Sequence, residues 1–450
     1  MSKTNKLVVI GCGGFGAPAA KMSKKTDPSV DVTLIREEKG GLLVRCATPF
    51  ISVERATVEA SIKSDEMFHD AGVTLVDVPA TSINRTEKTV TTADGAVYPY
   101  DKLILGTGGK AIVPLIHGAS LDGVFTIRTS DNAVSIRDWI NEKKVKKAVV
   151  YGAGAIGLEM ASLIAQKGIA VTIVVRSYIG RKLGLDIDVS NELEKHFIQN
   201  GVSIRSKEVV TKIIGETEVE AVELSSGDKI ETDMVILSIG VHPRIELAAA
   251  AGLEIGEYGL EVNEYLQTSD PDIYAGGDMI EYEHLITKKP IPGQIRPNAV
   301  IAGRIAAKNA LGYQIEFPGL LNSFAIKLFN KTVASIGVTE AIAEEEGIDV
   351  FATTKTVKTK YAMIEGGKPY SLKLIFDRKT KRVVGSQIIA DDERSIKSID
   401  VIALAIRCNL TALDLTTLRC ASQPELSPEA SAEPISMGAE DAFKELYPLT

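Results

Sequence analysis

Two stretches of the chain repeat one order of apolar and polar positions. In KLVVIGCGGFGAPAAKM, a β-branched apolar run precedes a glycine-rich turn and small helix-forming residues, and DVTLIREE supplies a second apolar run. KAVVYGAGAIGLEMASLIAQKG repeats this order and is followed by AVTIVVRSYIG. A short apolar run, a turn, a helical segment and another apolar run have the spacing of a βαβ unit. The pattern therefore predicts two βαβ units.

Each predicted turn has the sequence GxGxxG, and its glycines have separate mechanical roles. The first permits a tight turn, the second lets the backbone approach a pyrophosphate, and the third lets the helix pack closely on its strand. The N-terminus of the helix then faces the phosphates. A single motif is a weak signal, but two copies in strand–turn–helix context predict two dinucleotide sites. The glycines are Gly11, Gly13 and Gly16, and Gly152, Gly154 and Gly157.

The pattern changes from about Phe317 onward. Segments such as FAIKLFNKTVASIGVT and SLKLIFDRKTKRVVGSQIIA indicate antiparallel strands, and SIDVIALAIRCNLTALDL indicates a helix. This predicts a third domain of α+β type. The last 25 or so residues are rich in Ser, Pro, Glu and Ala, and we expect an extended arm or partial disorder there.

Composition excludes several classes of protein. The chain has 450 residues, too many for one hydrophobic core, and its net charge of −8 gives no footprint for nucleic acid. No apolar run approaches the roughly 20 residues of a membrane span, and no targeting segment is evident at the N-terminus. The four cysteines are scattered singly, which indicates neither a disulfide framework nor a metal site. We expect a cytoplasmic protein without a metal.

Taken in order, the segments resemble the FAD-containing pyridine nucleotide–disulfide oxidoreductase family, in its single-cysteine branch. That branch includes coenzyme A-disulfide reductases, persulfide reductases, and NADH oxidases and peroxidases. The resemblance covers nearly the whole chain and implies an α/β fold with two Rossmann-like domains, a C-terminal α+β dimerisation domain, and a homodimer. It places the FAD-binding domain at residues 1–115 and 246–316, the NAD(P)-binding domain at 116–245 and the interface domain at 317–450.

The resemblance also assigns residues to FAD. Thr107 and Gly108 match the family's ATG strand, and Asp278 in AGGD matches the acid that holds the ribityl chain. The family ends its second strand with an acid for the adenosine ribose, but here Arg36 stands there and Glu37 follows. Either Glu37 takes the role through a shifted backbone, or that hydrogen bond is absent. The predicted FAD-binding residues are Gly11, Gly13, Gly14, Phe15, Gly16, Arg36, Glu37, Ala80, Thr107, Gly108, Gly277 and Asp278.

The second motif bears on the choice of nucleotide. NAD-preferring members usually have a carboxylate where Val175 stands, and an apolar residue removes that acceptor. Arg176 and Lys182 resemble the cation pair of NADPH-dependent glutathione reductases, and a guanidinium matches phosphate geometry. A solvated basic loop is the alternative, so NADPH is favoured while NADH stays open. The predicted nucleotide-binding residues are Gly152, Gly154, Ile156, Gly157, Glu159, Arg176, Lys182 and Gly240.

Cys46, in GLLVRCATPFIS, falls at the place of the branch's redox cysteine. A single cysteine has no internal disulfide, so it works through a mixed disulfide, a persulfide or a sulfenic acid. The alternative is an inert cysteine. Arg45 adds a cation beside it for a thiolate, a persulfide or an anionic substrate. Tyr361 resembles an interface-loop tyrosine that reaches the partner subunit's site, or else is an exposed strand tyrosine.

Departures from the family narrow the reaction. NADH oxidases and peroxidases of the branch carry a histidine where Gly14 stands, which disfavours chemistry on peroxide or oxygen. Ser422 and Gln423 stand where other members carry acid groups. The first hypothesis is NAD(P)H-dependent reduction of a small disulfide, persulfide or polysulfide through Cys46. The alternatives are an electron-transfer subunit with an iron–sulfur protein partner, an NADH oxidase, and a nucleotide-sensing flavoprotein.

Overall fold

The computed structural model describes residues 4–448, which form two compact units. The first unit comprises the chain up to Ile112, together with Arg128–Ser135 and Gly240–Leu320. The second comprises Val113–Ile127, Ile136–Ile239 and the chain from Leu321 onward. None of the helices in the described residues combines the length and apolar composition that a membrane span requires.

The first unit is built on a five-stranded parallel sheet. Lys6–Ile10 lies at its centre, and four of its five residues are buried. Ile10 pairs in register with Ile35 on one side and Leu105 on the other. The order is that of a Rossmann sheet, in which ligands bind at the carboxyl ends of the strands. The strands in spatial order are Ile273–Ala275, Lys102–Leu105, Lys6–Ile10, Asp31–Ile35 and Val73–Val76.

Two long helices, Gly16–Thr26 and Arg296–Ala310, pack against each other in this unit. Their contact requires Gly303, because a Cβ there would lie 2.3 Å from the carbonyl oxygen of Phe15. The remaining strands form small antiparallel sheets. They are Ala80–Asn84 with Thr89–Thr92 and Val97–Pro99, Gly109–Ala111 with Val241–Pro243, Leu42–Leu43 with Ile62–Lys63, and Glu281–Glu283 with Pro290–Pro292. The short helices are Thr48–Ser52, Val58–Ser61, Glu66–His69 and Glu246–Ala250, with 3₁₀ turns at Arg45–Ala47 and Gly277–Met279.

The second unit repeats the parallel arrangement. Its sheet has the same kind of order, with the strand that precedes the second glycine motif at the centre. The strands in spatial order are Val124–Thr126, Met234–Leu237, Lys147–Tyr151, Ala170–Val175 and Ser203–Ser206. This part also has the helices Ala155–Ala165 and Ile187–Gln199, the turn Arg181–Leu183, and an antiparallel sheet of Val210–Ile214, Ala221–Leu224 and Lys229–Glu231. The helix Ser130–Glu142 has its first residues in the first unit and the rest in the second.

The C-terminal part of the second unit is a five-stranded antiparallel sheet with helices, as the sequence predicted. The strands in spatial order are Phe324–Leu328, Lys331–Gly337, Val383–Ala390, Pro369–Asp377 and Val350–Lys358. The helices are Glu340–Glu346, Ser398–Arg407, Ala412–Thr416 and Pro434–Leu446, with 3₁₀ turns at Ser395–Lys397 and Ala430–Ala432.

The expectation of an extended or disordered C-terminal arm is wrong for Pro434–Leu446. This segment is a helix that packs on the strands Val350–Lys358 and Pro369–Asp377. Ile435, Ala439, Ala442 and Leu446 are buried along one stripe, at the spacing of an amphipathic helix. The burial of this stripe, rather than the polar composition of the segment, decides its structure.

Lys373 is a buried cation within the second unit. Its side chain is 3% exposed, and its ammonium nitrogen lies 3.1 Å from Asp186 and 3.0 Å from Asp188 and also pairs with Glu340. The three carboxylates are close enough together to hold a cation, and the lysine ammonium lies among them. The cluster connects the parallel and antiparallel parts of this unit.

Candidate active site

The glycine turn of the first unit leaves open backbone at the start of a long helix. Gly11 has φ +100°, and a Cβ there would lie 2.1 Å from the carbonyl oxygen of Gly106. A Cβ at Gly16 would lie 1.8 Å from the carbonyl oxygen of Gly11. At Gly13, by contrast, no atom lies within 4 Å of the Cβ position. This open backbone before the helix Gly16–Thr26 fits a pyrophosphate.

The turn of the second unit has the same construction. Gly152 has φ +111°, and a Cβ there would lie 2.4 Å from the carbonyl oxygen of Ser238. A Cβ at Gly157 would lie 2.0 Å from the carbonyl oxygen of Gly152, while the Cβ position of Gly154 is open. Ile156 lies in the first turn of the helix Ala155–Ala165 that follows. This unit therefore also fits a dinucleotide.

Other residues predicted to bind FAD lie in the first unit. Gly277 has φ +78°, and its Cβ position is 3.1 Å from Cβ of Phe15, whose ring is buried. The Cβ position of Gly14 faces Arg296 and Ala299 at 3.5–3.6 Å. The hydroxyl of Thr107 donates to the carbonyl oxygen of Arg244. Gly108 has positive φ, and Ala80 begins a strand in the same unit. Gly240, which was predicted to bind the nucleotide, also has positive φ and lies in this first unit.

Asp278 follows the carboxyl end of the strand Ile273–Ala275, the edge where a dinucleotide binds in a Rossmann sheet. Arg128 donates a hydrogen bond of 2.7 Å to its carboxylate, and each side chain is about one-fifth exposed. Sequence reasoning missed Arg128, because it belongs to no motif and reaches this unit through the separate segment Arg128–Ser135.

Arg36 and Glu37 occupy different surroundings. The Arg36 side chain is 1% exposed, and it donates to Asp65 at 2.5 and 2.6 Å and to Asp77 at 2.6 Å. Glu37 is exposed, and its carboxylate accepts a hydrogen bond of 2.9 Å from Arg244. Sequence reasoning did not single out Asp65 or Asp77.

Cys46 lies in the 3₁₀ turn Arg45–Ala47, and its thiol is free and exposed. The helix that follows, Thr48–Ser52, has only five residues. The Arg45 guanidinium donates to the carbonyl oxygen of Arg128 at 3.0 Å and to Glu38 at 2.6 Å. These bonds attach the turn to the segment that also carries the partner of Asp278. Arg45 therefore has partners of its own, and its predicted role toward a thiolate stays a prediction.

Cys12 provides a contrast within the same unit. It lies inside the glycine turn, and burial raises the pKa of its thiol to about 11, although the positive charge of Arg36 opposes that shift. A thiol with this pKa stays protonated at neutral pH and is a poor nucleophile. The structure thus agrees with a packing role for Cys12 and leaves Cys46 as the accessible thiol of this unit.

The predicted nucleotide cations are exposed at the end of a strand. Arg176 directly follows Ala170–Val175, and Lys182 lies in the turn Arg181–Leu183. Arg181 is paired with Glu345 at 2.5 Å. Neither Arg176 nor Lys182 has an ion-pair partner among residues 4–448, so both charges are available to a ligand phosphate.

Glu159 lies in the helix Ala155–Ala165, and burial raises the pKa of its carboxyl to about 7. Since no cation is among the causes of the shift, the carboxyl exchanges a proton near neutral pH. Perturbed carboxyl groups of this kind are frequent at functional sites. The residue is partly exposed, and its predicted role at the nicotinamide stays a prediction.

Tyr361 lies in the loop between the strands Val350–Lys358 and Pro369–Asp377, so it is not a strand tyrosine. Its hydroxyl oxygen is 2.7 Å from that of Ser422, and its backbone N–H donates to the carbonyl oxygen of Pro424. Ser427 donates to Ser422 in turn, at 3.2 Å. The structure therefore brings Tyr361 together with the segment where other members of the branch carry an acid.

A basic groove of about 430 Å³ runs beside the helix Gly16–Thr26 in the first unit. Lys21, Lys24 and Lys25 recur on one face of this helix. Lys24 donates to the backbone at Pro28 and Val30, whereas Lys21, Lys25 and Arg304 have no ion-pair partner among the described residues. The residues that line the groove are Pro18, Lys21, Met22, Lys24, Lys25, Ala71 and Arg304. An apolar floor with free cations suits an organic polyanion.

Comparison with known families agrees with this geometry. Residues 5–304 match the family described as pyridine nucleotide-disulphide oxidoreductase, and residues 324–433 match the dimerisation domain of the same family. The chain belongs to the pyridine nucleotide-disulphide oxidoreductase family. Members of this family are FAD-dependent oxidoreductases that use NADH or NADPH, so the predicted fold class, enzyme class and cofactors are confirmed.

Within this family, the chain is similar to proteins that differ in their named acceptors. It is 34% identical to an NADH oxidase of Methanocaldococcus jannaschii, over 98% of this chain and 99% of that protein. It is 30% identical to an NAD(P)H coenzyme A polysulfide/persulfide reductase of Pyrococcus horikoshii, over 94% and 95% of the two chains. The structure of an NAD-dependent persulfide reductase from A. fulgidus superposes with a TM-score of 0.92, at 30% identity over 98% of this chain and 83% of that chain.

Proposed function

We propose that this member of the family reduces the sulfur–sulfur bond of a small thiol compound, with NAD(P)H as the electron donor and Cys46 as the reacting thiol. The observation that carries the proposal is the exposed, free thiol of Cys46 in the unit that holds the flavin-type glycine turn. The partners of Arg45 fix the backbone of the turn around that thiol.

The chemistry follows from a thiol without a cysteine partner. The Cys46 thiolate attacks one sulfur of the substrate, a Cys46–sulfur bond forms, and the substrate's sulfur–sulfur bond breaks with release of a thiolate. FAD, whose pyrophosphate the turn of Gly11, Gly13 and Gly16 would hold, would supply the two electrons taken from NAD(P)H. The Cys46–sulfur bond then breaks, the second half of the substrate leaves as a thiolate, and Cys46 returns to its thiolate form. A persulfide or polysulfide departs as a stable anion, so the reaction needs no strong acid at the positions of Ser422 and Gln423.

The substrate class that the groove favours is a coenzyme A compound. Coenzyme A is an organic polyanion, and the groove offers Lys21, Lys25 and Arg304 without internal partners. The Pyrococcus horikoshii relative carries coenzyme A and persulfide in its name. We therefore propose coenzyme A disulfide, coenzyme A persulfide or a polysulfide as the substrate.

Oxygen reduction is the second candidate, because the Methanocaldococcus jannaschii relative is named an NADH oxidase. Gly14 stands where oxidases of the branch carry a histidine, so the glycine turn offers no acid–base group toward oxygen. For this reason we place sulfur reduction first. An iron–sulfur electron-transfer partner also remains a prediction.

We further propose that the protein is a homodimer. The match to a dimerisation domain supports this, and so do exposed apolar side chains on the C-terminal part of the second unit. Val401 and Leu404 of the helix Ser398–Arg407 are 41% and 62% exposed, and Leu413 is 47% exposed. Apolar side chains of this size are usually covered by a partner when they cluster. Location in the cytoplasm stays a prediction.

Comparison of acceptors tests the proposed function. The holoenzyme is reduced without oxygen and mixed with coenzyme A disulfide, coenzyme A persulfide, inorganic polysulfide, hydrogen peroxide or oxygen. We expect a kcat/KM for at least one sulfur compound that exceeds the value for oxygen by about 100-fold or more. Faster reoxidation by oxygen than by every sulfur compound would instead assign the protein as an oxidase.

A further inference from the structure

Arg36 stands at the position of a ribose-binding acid, so another residue must bind the adenosine ribose of FAD in this chain. In the family that this chain resembles, the residue after the second strand is an acid that binds the adenosine ribose of FAD. A carboxylate at that edge accepts hydrogen bonds from ribose hydroxyls. Arg36 carries only donors, and its side chain is 1% exposed, so it cannot take over this task.

The buried guanidinium donates to two acids from other parts of the first unit. Asp65 receives two parallel hydrogen bonds of 2.5 and 2.6 Å, which use both of its oxygens. Asp77 receives one bond of 2.6 Å from Nε, which uses only Oδ1. Within residues 4–448, Oδ2 of Asp77 has no hydrogen-bond partner, and the side chain is 45% exposed. Asp77 therefore keeps a free acceptor that Asp65 lacks.

Asp77 also stands at the correct edge of the sheet. It directly follows the strand Val73–Val76, whose neighbour is Asp31–Ile35, and Ile35 pairs in register with Val76. The backbone N–H of Arg36 donates to the carbonyl oxygen of Val76 at 2.9 Å. Nε of Arg36 lies as many bonds from Cα as a glutamate carboxyl oxygen does. A glutamate at position 36 would place a carboxyl oxygen near the position of this Nε. The Asp77 carboxylate is hydrogen-bonded to Nε at 2.6 Å, so it lies close to that position.

The neighbouring acids are held by exposed cations rather than by the buried guanidinium. Glu37 is paired with Arg244, and Glu38 is paired with Arg45. The backbone N–H of Gly11 donates to the carbonyl oxygen of Ile35 at 2.8 Å, so the glycine turn lies at the end of the strand that Arg36 follows. The open backbone of Gly13 in the same turn is the place for the pyrophosphate to which the ribose is joined.

We propose that Asp77 binds the adenosine ribose of FAD, and that Arg36 is the positioning residue that holds its carboxylate. In this chain the ribose-binding acid follows the strand Val73–Val76 instead of the strand Asp31–Ile35. Arg36 stands where the family has its acid. The inference rests on the family's use of FAD and is independent of the identity of the sulfur substrate.

Cofactor exchange on the holoenzyme tests this proposal without any turnover. Bound FAD is displaced by an FAD analogue whose adenosine lacks both ribose hydroxyls, and the exchange constant gives the preference for those hydroxyls. A hydrogen bond to a charged group contributes about 1.5–3 kcal/mol, so the wild-type protein should prefer FAD by about 10- to 100-fold. In Asp77→Ala that preference should fall to about twofold or less, because its acceptor is gone.

Three control variants separate binding from a structural effect. Asp65→Asn disturbs the same arginine but not the proposed acceptor, and Asp31→Asn removes a charge from the opposite end of the neighbouring strand. Both should retain the wild-type preference, as should Glu37→Gln. Retention of the preference in Asp77→Ala, or its loss in Asp65→Asn or Glu37→Gln, would overturn the proposal. Because each result is a ratio for one variant, a general weakening of flavin binding does not alter it.

Discussion

Arg128 donates a hydrogen bond of 2.7 Å to the carboxylate of Asp278, and its own backbone carbonyl accepts a hydrogen bond from Arg45. One residue therefore connects the acid predicted to hold the ribityl chain with the turn that carries Cys46. The two contacts are distinct, because one uses the guanidinium and the other uses the main chain.

We predict that Arg128→Ala lowers the thermal midpoint at which flavin is released from the holoenzyme. The substitution leaves a mostly buried carboxylate without its charged donor, at a cost of about 1–3 kcal/mol. Arg128→Lys should restore part of the loss. The control is Lys110→Ala, which removes an exposed ion pair with Glu246 and should cost about 1 kcal/mol or less. Equal midpoints for Arg128→Ala and wild type would contradict a role for the pair.

The basic groove predicts a substrate-selective defect. Replacement of Lys21, Lys25 and Arg304 by glutamine should raise KM for coenzyme A compounds about tenfold, at about 0.5 kcal/mol per exposed charge. KM for inorganic polysulfide should change by about twofold at most, because that ion lacks the nucleotide part. Steady-state kinetics at two salt concentrations checks this. Salt screens the charges, so the difference in KM for coenzyme A compounds between wild type and variant should shrink at the higher concentration. Lys6→Gln, at the amino edge of the central strand, is the matched control, and similar losses for both substrates would argue against the groove.

The exposed cations of the second unit predict a preference for NADPH. Replacement of Arg176 and Lys182 by alanine should lower kcat/KM for NADPH about tenfold or more and leave NADH within about twofold. Arg181→Ala should have a smaller effect, because Arg181 is paired with Glu345. The measurement is kcat/KM with each nucleotide and a common acceptor. An equal decrease in kcat/KM with both nucleotides would show that these cations do not bind a 2′-phosphate.

Glu159 predicts a pH-dependent stability. Burial raises the pKa of its carboxyl from 4.5 to about 7, so the folded protein holds this proton more tightly than the unfolded chain does. The stabilising contribution is fully present below pH about 4.5 and is lost as pH rises through about 7. The Glu159→Gln variant should therefore gain stability relative to wild type by up to about 3 kcal/mol between these pH values. Thermal unfolding of the variant and the wild type at pH 5 and pH 8 measures this gain. An equal difference in stability between the two proteins at both pH values would refute the prediction.

Much of the fold could be predicted because the two glycine motifs impose local requirements. Gly11 and Gly152 have positive φ and no room for a side chain, so few other sequences form these turns. The alternating and continuous apolar runs then define the strands on either side. The C-terminal helix Pro434–Leu446 was missed because its apolar stripe is short and lies in a segment of polar composition.

The partners in the site could not be predicted from local sequence. Arg128 meets Asp278 across 150 positions, and Arg36 meets Asp65 and Asp77 across 29 and 41 positions. Neither Asp65 nor Asp77 belongs to a motif, and only the register of adjacent strands brings Asp77 to Arg36. The sequence shows that the ribose-binding acid is absent at position 36. Asp77 could be identified as its substitute only from the tertiary structure.

The central claim is that the thiol of Cys46 reacts with the sulfur substrate, and mass analysis of the oxidised holoenzyme tests it most directly. The protein is incubated with coenzyme A disulfide without NAD(P)H, digested without reductant and analysed for a coenzyme A adduct. We predict one adduct per chain, on the peptide with Cys46, that is lost in Cys46→Ser and retained in Cys408→Ser and Cys420→Ser. NADPH should remove it from the wild type with release of one coenzyme A. An adduct elsewhere, or full coenzyme A disulfide reductase activity in Cys46→Ser, would contradict the claim.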